Sequence, residues 1–286
     1  MKVLVTGGNG QLGSELKKTS IKDNNFKWVF TDRKSFDLTL HKNINFYLDN
    51  IKPDIIINCA AYTSVNYAEN NFETANAINH IAVDLIAKWA NKNNCKLIHI
   101  STDYVYDGNS KIPYFESDKT NPLNSYGRSK LLGDIACQKN NNSFIIIRTS
   151  WLYSSFGDNF VTNMIKLMYG NAEIKVINDQ FGSPTYAGDL AFVILHLIRK
   201  KKWISGIYNY SNKGNISWYD FANEIKSIYG FSTIINPISS ESYNQNVIRP
   251  KFSILDNSKI MDTFDIKQVD YLSSLKKCIK ILKNES

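Results

Sequence analysis

The 286-residue chain lacks any apolar run approaching the roughly 20 residues needed to cross a bilayer. It also shows no export-signal pattern, since a short strand pattern after Met1 runs straight into glycines. Neither a membrane anchor nor an export signal is expected, and the cytoplasm is the expected location. Cysteine is scarce: Cys59, Cys95, Cys137 and Cys278 stand far apart, with no CxxC pair and no Cys/His cluster. That argues against a disulfide framework or a zinc site and fits a reducing compartment. Histidine is equally sparse, and His41, His80, His99 and His196 show no ligand spacing; His99, inside a strand pattern, reads as a packed residue. Charged residues are 21% against 43% hydrophobic, too apolar for a disordered chain. The net charge of +8 raises a nucleic-acid partner, yet the only dense basic run is Arg199 to Lys202, at a predicted helix end where cations suit the dipole. Without a basic stripe no nucleic-acid partner is expected. A substrate carrying phosphates would suit the same positive field.

What is present is an alternation of strand and helix patterns. Strands are read at Lys2 to Thr6, Lys27 to Thr31, Asp54 to Asn58, Lys96 to Ser101 and Phe144 to Thr149. Helices are read from Gln11, over Phe72 to Asn93 with Ala77, Ile81, Leu85 and Trp89 at four-residue spacing, and over Tyr126 to Lys139. Several strands are apolar throughout, as when helices cover both faces of a parallel sheet. The order predicts an α/β fold, a Rossmann-type doubly wound parallel sheet. A dinucleotide-binding domain is expected over 1–150, completed by a later helix or strand near 185–210. A smaller α+β substrate lobe is expected over 151–286, with helices at Asn159 to Tyr169, Ala187 to Arg199, Trp218 to Tyr229 and Leu272 to Lys283.

The first strand runs into Gly7, Gly10 and Gly13 in a Gly-x-x-Gly-x-x-Gly turn that opens a helix. Glycines supply the backbone angles of the turn and let a pyrophosphate approach free helix N–H groups. Such a triplet can be a mere turn; its place after a strand favours a dinucleotide. Gln11 and Leu12 belong to the same loop. Asp32, nineteen residues after Gly13, suits the ribose hydroxyls of NAD, whereas Arg33 suits the 2′-phosphate of NADP. The cofactor is therefore read as NADPH or NADH without a preference. Asp37 and Leu38 are expected to flank the adenine.

Tyr126 and Lys130 stand four apart, on one helix face. An ammonium beside a phenol lowers its pKa, and such a pair can move a proton to or from a carbonyl oxygen. Chance alone would supply about one or two such spacings in this composition, and this is the only one, so context carries the argument. Ser101 and Thr102 end a parallel strand on the edge where α/β folds bind ligands, and Thr102 is placed to hydrogen-bond the reacting oxygen.

With these residues the chain resembles the extended short-chain dehydrogenase/reductases. Lys52 to Asn58, Ala60 to Val65, Ser101 to Tyr106, Pro122 to Gly127, Arg148 to Tyr153 and Asn178 to Thr185 resemble, more narrowly, the dTDP-4-dehydrorhamnose reductases. The likeness runs to about Asp189 and thins beyond it, where Arg249-Pro250 and Leu255-Asp256 echo it. The resemblance implies hydride transfer from NAD(P)H to C4 of dTDP-4-keto-6-deoxy-L-mannose, giving dTDP-L-rhamnose for cell-surface polysaccharide. It implies Tyr126 as proton donor, Lys130 as its tuner and holder of the nicotinamide ribose, and Thr102 beside the keto oxygen. Ala60, Ala61 and Thr63 would line the cofactor. Asp103, Trp151 and Arg249 would contact the nucleotide sugar, Trp151 through an apolar face and Arg249 through phosphate.

Departures from that pattern are Asn66 and Ala68, where the family commonly shows Asp and Lys. Some members hold magnesium between subunits; Glu15 fits one such position, but Gly188-Asp189 does not clearly supply its partner, so no essential metal is expected. A homodimer is compatible with the resemblance. A 4,6-dehydratase would carry an Asp-Glu pair after the equivalent threonine, and here Tyr104 follows Asp103. A C4 epimerase would carry small residues there. Reduction of another 4-keto-6-deoxysugar stays open. A non-catalytic dinucleotide-binding subunit would have no use for an intact Tyr126, Lys130 and Thr102 set.

Overall fold

The computed structural model describes residues 1–21, 23–200, 202–243 and 247–285; Lys201 of the basic run lies outside them. Five strands form in sequence: β1 (Lys2–Thr6), β2 (Lys27–Phe30), β3 (Ile55–Asn58), β4 (Lys96–Thr102) and β5 (Phe144–Thr149). With strand Gly206–Asn209 they make one parallel sheet in the order β2-β1-β3-β4-β5 and then Gly206–Asn209. The expected doubly wound sheet is what forms. Strand order reverses at β1, which pairs with β2 on one side and β3 on the other. Such a reversal opens a crevice at the carboxyl ends of the strands, where ligands bind.

Both faces of the sheet are covered, which is why β3 reads Ile55-Ile56-Ile57 without alternation and is fully buried. Val3, Val5, Ile55 and Ile57 face one side, against helix α1 (Gln11–Ser20) and helix Ala187–Arg199. Leu4, Ile56 and Ile146 face the other, against helices His41–Ile51 and Ala82–Lys92 and the Cys137 turn of helix Ser125–Asn140. Burying each such side chain contributes about 1.5–3 kcal/mol. A third core gathers Phe221, Ile225, Leu275 and Ile279 with Val161 and Met164. Its helices are Phe160–Gly170, Trp218–Tyr229 and Tyr271–Glu285, packed around the parallel pair Glu173–Ile177 and Ile234–Ile238.

Some boundaries differ from expectation. β2 stops at Phe30, so Thr31 and Asp32 lie in the following loop. Helix His41–Ile51 was not anticipated, although Ile44, Tyr47, Leu48 and Ile51 carry a helical spacing. Helix Ser258–Phe264 is likewise new. The expected helix over Phe72 to Asn93 is interrupted by a π turn at Ala77–Ile81, which aims the buried Asn79 at helix Ser125–Asn140. Among the described residues no helix is long and apolar enough to cross a membrane, and all four cysteines are free.

Candidate active site

One cavity of about 670 Å³ opens along the carboxyl edge of the sheet, and every residue singled out above for cofactor, catalysis or substrate lines it. Its first wall is the glycine turn. Gly7 has φ +66°, a left-handed angle that favours glycine, and a side chain there would strike the Ala60 backbone. Gly13 is required by the turn itself: a Cβ would meet the Gly7 carbonyl and Gly8, so glycine lets the helix start tightly against its own loop. α1 begins after Gly10, which supplies no side-chain cap, and its first turn holds no acidic residue. The first-turn N–H groups, including those of Gln11 and Leu12, are therefore left for a ligand. A cradle that a Cβ would fill, leading to an uncapped helix N-terminus, fits a dinucleotide pyrophosphate.

Beyond β2, Asp32 is already engaged. Its Oδ2 accepts from Asn9 Nδ2 at 2.8 Å, and its Oδ1 from Ser35 N–H and Oγ at 2.9 and 2.8 Å. Those Ser35 bonds hold its carboxyl below the usual carboxylate range. Arg33 is 80% exposed at its side chain and lies 3.7 Å from Asp37. Asp37 accepts from Thr39 N–H and Oγ1, which hold its carboxyl down, while Leu38 is buried in the core. Leu38 thus presents an apolar edge to the cavity while anchoring the loop.

After β3, Ala60, Ala61 and Thr63 form the middle of the wall. Thr6 Oγ1 accepts from the Ala60 N–H at 3.2 Å, and Asn79 ties Tyr62 to Ser129 of the helix that carries Tyr126. That helix, Ser125–Asn140, is fixed at its start: Asn124 accepts from Gly127 N–H at 2.8 Å, and Glu69 takes the Ser125 N–H and hydroxyl at 2.7 and 3.0 Å.

Tyr126, Thr102 and Asp103 meet at the centre. The Thr102 hydroxyl donates to Asp103 Oδ1 at 3.0 Å and is hydrogen-bonded to Tyr126. Asp103 is 2% exposed, and burial pushes its carboxyl up to about 6. Burial also pushes the Tyr126 phenol up, the reverse of the lowering expected from a lysine neighbour. The Asp103 and Asp134 carboxyls add to that rise, while the Lys130 ammonium donates to the Ile100 carbonyl at 2.6 Å and lies 3.4 Å from His99 Nε2. Burial brings Lys130 down to about 8.

The far wall is aromatic and basic. Trp151 sits at φ +47°, its edge against Gly182, and its indole stacks on Trp218 with centroids 3.4 Å apart and planes 5° from parallel. A large residue in the left-handed region is held there by its surroundings. Arg249 donates to Asn66 Oδ1 at 3.2 Å and hydrogen-bonds Tyr104, and its buried Nε has no partner. Asn66, which departs from the family pattern, therefore holds Arg249. The sequence did not bring forward Trp218, Asn9 or Phe36, all on the cavity wall. Asn9 was within reach of the glycine motif; Trp218 has no local signal.

Comparison with known proteins agrees with this geometry. The family model described as "RmlD substrate binding domain" matches residues 1–284. The chain is 36% identical to the dTDP-4-dehydrorhamnose reductase of Escherichia coli (strain K12), over 99% of this chain and 98% of that protein. It is 38% identical to the spore coat polysaccharide biosynthesis protein SpsK of Bacillus subtilis (strain 168), over 91% and 90% of the two chains. Crystal structures of dTDP-4-dehydrorhamnose reductase superpose closely. That from Clostridium acetobutylicum gives a TM-score of 0.94 at 39% identity, covering 99% of this chain and 100% of that one. That from Bacillus anthracis, in complex with NADP, gives 0.93 at 35%, covering 98% and 99%. With the fold, the cavity and matches over its full length in accord, the chain belongs to the dTDP-4-dehydrorhamnose reductase family.

Proposed function

We propose that the chain reduces the C4 keto group of dTDP-4-dehydro-L-rhamnose, giving dTDP-L-rhamnose. The observation that carries this reading is the convergence of the glycine turn, the Tyr126–Thr102–Asp103 cluster and the Trp151–Arg249 wall on one cavity. When bound, a reduced nicotinamide supplies the hydride that the C4 carbon takes up. Gly7, Gly10, Gln11, Leu12 and Gly13 hold the pyrophosphate, and Asp32, Arg33, Asp37 and Leu38 hold the adenosine side. Ala60, Ala61 and Thr63 line the path toward Tyr126.

Tyr126 gives its hydroxyl proton to the C4 oxygen as that oxygen gains negative charge. A phenol held high by burial keeps its proton at neutral pH, as a donor in the reductive direction must. Lys130, charged below about 8, stabilises the resulting phenolate and holds the nicotinamide ribose. Thr102, between Tyr126 and Asp103, orients the keto oxygen. Trp151 offers an apolar face to the deoxysugar, and the unpartnered Nε of Arg249 suits a phosphate oxygen.

We assign 1–150 to dinucleotide binding, with helix Ala187–Arg199 and strand Gly206–Asn209 completing that unit; their packing on α1 and pairing with β5 support this. The remainder forms the substrate lobe. Free thiols support action in the cytoplasm, and no nucleic-acid partner or essential metal is invoked; a homodimer is compatible with this reading.

The test mixes purified protein, NADPH or NADH, and dTDP-4-keto-L-rhamnose, following loss of reduced-nicotinamide absorbance and identifying the sugar. The expected product is dTDP-L-rhamnose. No oxidation of either dinucleotide with any 4-keto sugar nucleotide would overturn the reading.

A further inference from the structure

Beneath the cavity floor runs a buried polar chain that the chemistry above leaves unused. The Thr6 hydroxyl, accepting from Ala60 N–H, donates to Asn58 Oδ1 at 2.6 Å, and Asn58 Nδ2 donates to His99 Nδ1 at 3.0 Å. Thr6, Asn58 and His99 are at most 1% exposed, so water does not complete these bonds. The other ring nitrogen, Nε2, faces helix Ser125–Asn140. That nitrogen lies 3.4 Å from Lys130 Nζ and 3.9 Å from Asp134 Oδ1. Lys130 Nζ and His99 Nε2 are within hydrogen-bond reach of each other, while the Asp134 oxygen has no hydrogen-bond partner of its own.

Lys130 and Asp134 are four residues apart on one helix, the spacing at which opposite charges meet. Among the described residues Lys130 nevertheless joins no ion pair, and Asp134 pairs through Oδ2 with Arg148 at 3.1 Å. The imidazole edge lies close to both partners. Two opposite charges in so dry a place attract strongly, so a side chain between them decides whether they close.

We propose that His99 is a wedge: a positioning residue, locked by Asn58, that keeps the Lys130 ammonium from collapsing onto Asp134 and so leaves it available to the cavity. The inference rests on the reading of Lys130 as the lysine of the reaction. The other groups that bear on Lys130 are the Cys59 and Cys137 thiols, held neutral by burial, and the Ile100 carbonyl. Asp134 is thus the charge that a lost wedge would release.

The experiment replaces His99 by Ala and, as a β-branched residue suited to a strand, by Thr, with folding checked by circular dichroism. In cofactor-free protein carrying 15N-labelled lysine, the Nζ resonance absent from Lys130→Met reports Lys130. Expected is a rise of its titration midpoint by a pH unit or more in both variants. Turnover should fall roughly tenfold or more as the ammonium leaves its place. His99→Gln, whose amide refills the gap, should keep the midpoint within about 0.3 pH unit and turnover within about twofold of wild type. An unchanged Lys130 midpoint in folded Ala or Thr variants would overturn the wedge. Retained turnover in Lys130→Met would instead sink the catalytic reading of that residue, and the resonance would still decide the wedge.

Discussion

The two ends of the cavity are made of different material. At the dinucleotide end the wall is mostly backbone: the Gly7 turn, the first turn of α1 and the segments leaving β2 and β3. At the sugar end it is side chain, with Trp151, Trp218 and Arg249 brought together from three distant segments. A backbone wall is fixed by the sheet and accepts any ligand with the right phosphates. A side-chain wall can be rebuilt by single substitutions, which is where we propose that the choice among sugars resides. Between them stands the Tyr126–Thr102–Asp103 cluster, which belongs to neither end and serves both.

Removing that middle should have the largest effect while sparing both ends. Tyr126→Phe is expected to cut turnover by roughly 10² or more with dinucleotide affinity unchanged, since only the proton donor is lost. Rate measurements beside fluorescence titration with NADPH check this; unchanged turnover would remove Tyr126 from the mechanism.

The pH profile is the next effect in size, because each unit beyond a limb costs about tenfold for a single ionisation. Lys130 is charged below about 8 and neutral above it, so kcat/KM should fall as pH rises through that value. Asp103 is neutral below about 6 and anionic above it. If the anion orients Thr102, kcat/KM should also fall as pH drops through 6. Asp103→Asn should erase the acidic limb and leave the alkaline one; an acidic limb that persists in this variant would exclude Asp103 as its source.

At the backbone end, side chains adjust the cofactor rather than create its site. Arg33 is exposed, whereas Asp32 already has its oxygens engaged by Asn9 and Ser35. Arg33→Ala should therefore weaken NADPH by roughly tenfold relative to NADH, the scale of one charge-assisted bond. Equal losses for both dinucleotides would assign Arg33 a structural role instead.

The same contrast explains what the sequence disclosed. Glycines at Gly7, Gly10 and Gly13 mark backbone geometry, which is local, and the uninterrupted Ile55 to Ile57 run marks a strand covered on both faces. These placed the fold and pointed to the glycine-turn end of the cavity. Tyr126 and Lys130 share a helix face, so their spacing was visible, but the direction of the phenol's shift was not. It depends on burial and on the neighbouring Asp103 and Asp134 carboxyls, contacts made across the fold. Trp218 was invisible for the same reason: nothing near it in the chain distinguishes it from a core residue at a helix start. The wedge at His99 reads locally as one more buried strand position.

Trp218 gives the finest test of the side-chain end. Its ring lies flat on Trp151, and aromatic stacking of this kind contributes about 0.5–1.5 kcal/mol beyond the area buried. If Trp218 holds Trp151 against the sugar, Trp218→Leu should raise KM for the nucleotide sugar by roughly two- to tenfold, the same energy expressed as a ratio. The Kd for NADPH should not move, because the glycine turn lies at the other end. Two indoles stacked this closely couple their transitions, so far-ultraviolet circular dichroism should show a paired band that Trp218→Leu abolishes. Loss of that band with an unchanged KM would mean that Trp151 finds its place without its partner. The sugar end would then be as firmly set by backbone, through the φ +47° of Trp151 and the close approach of Gly182, as the dinucleotide end is.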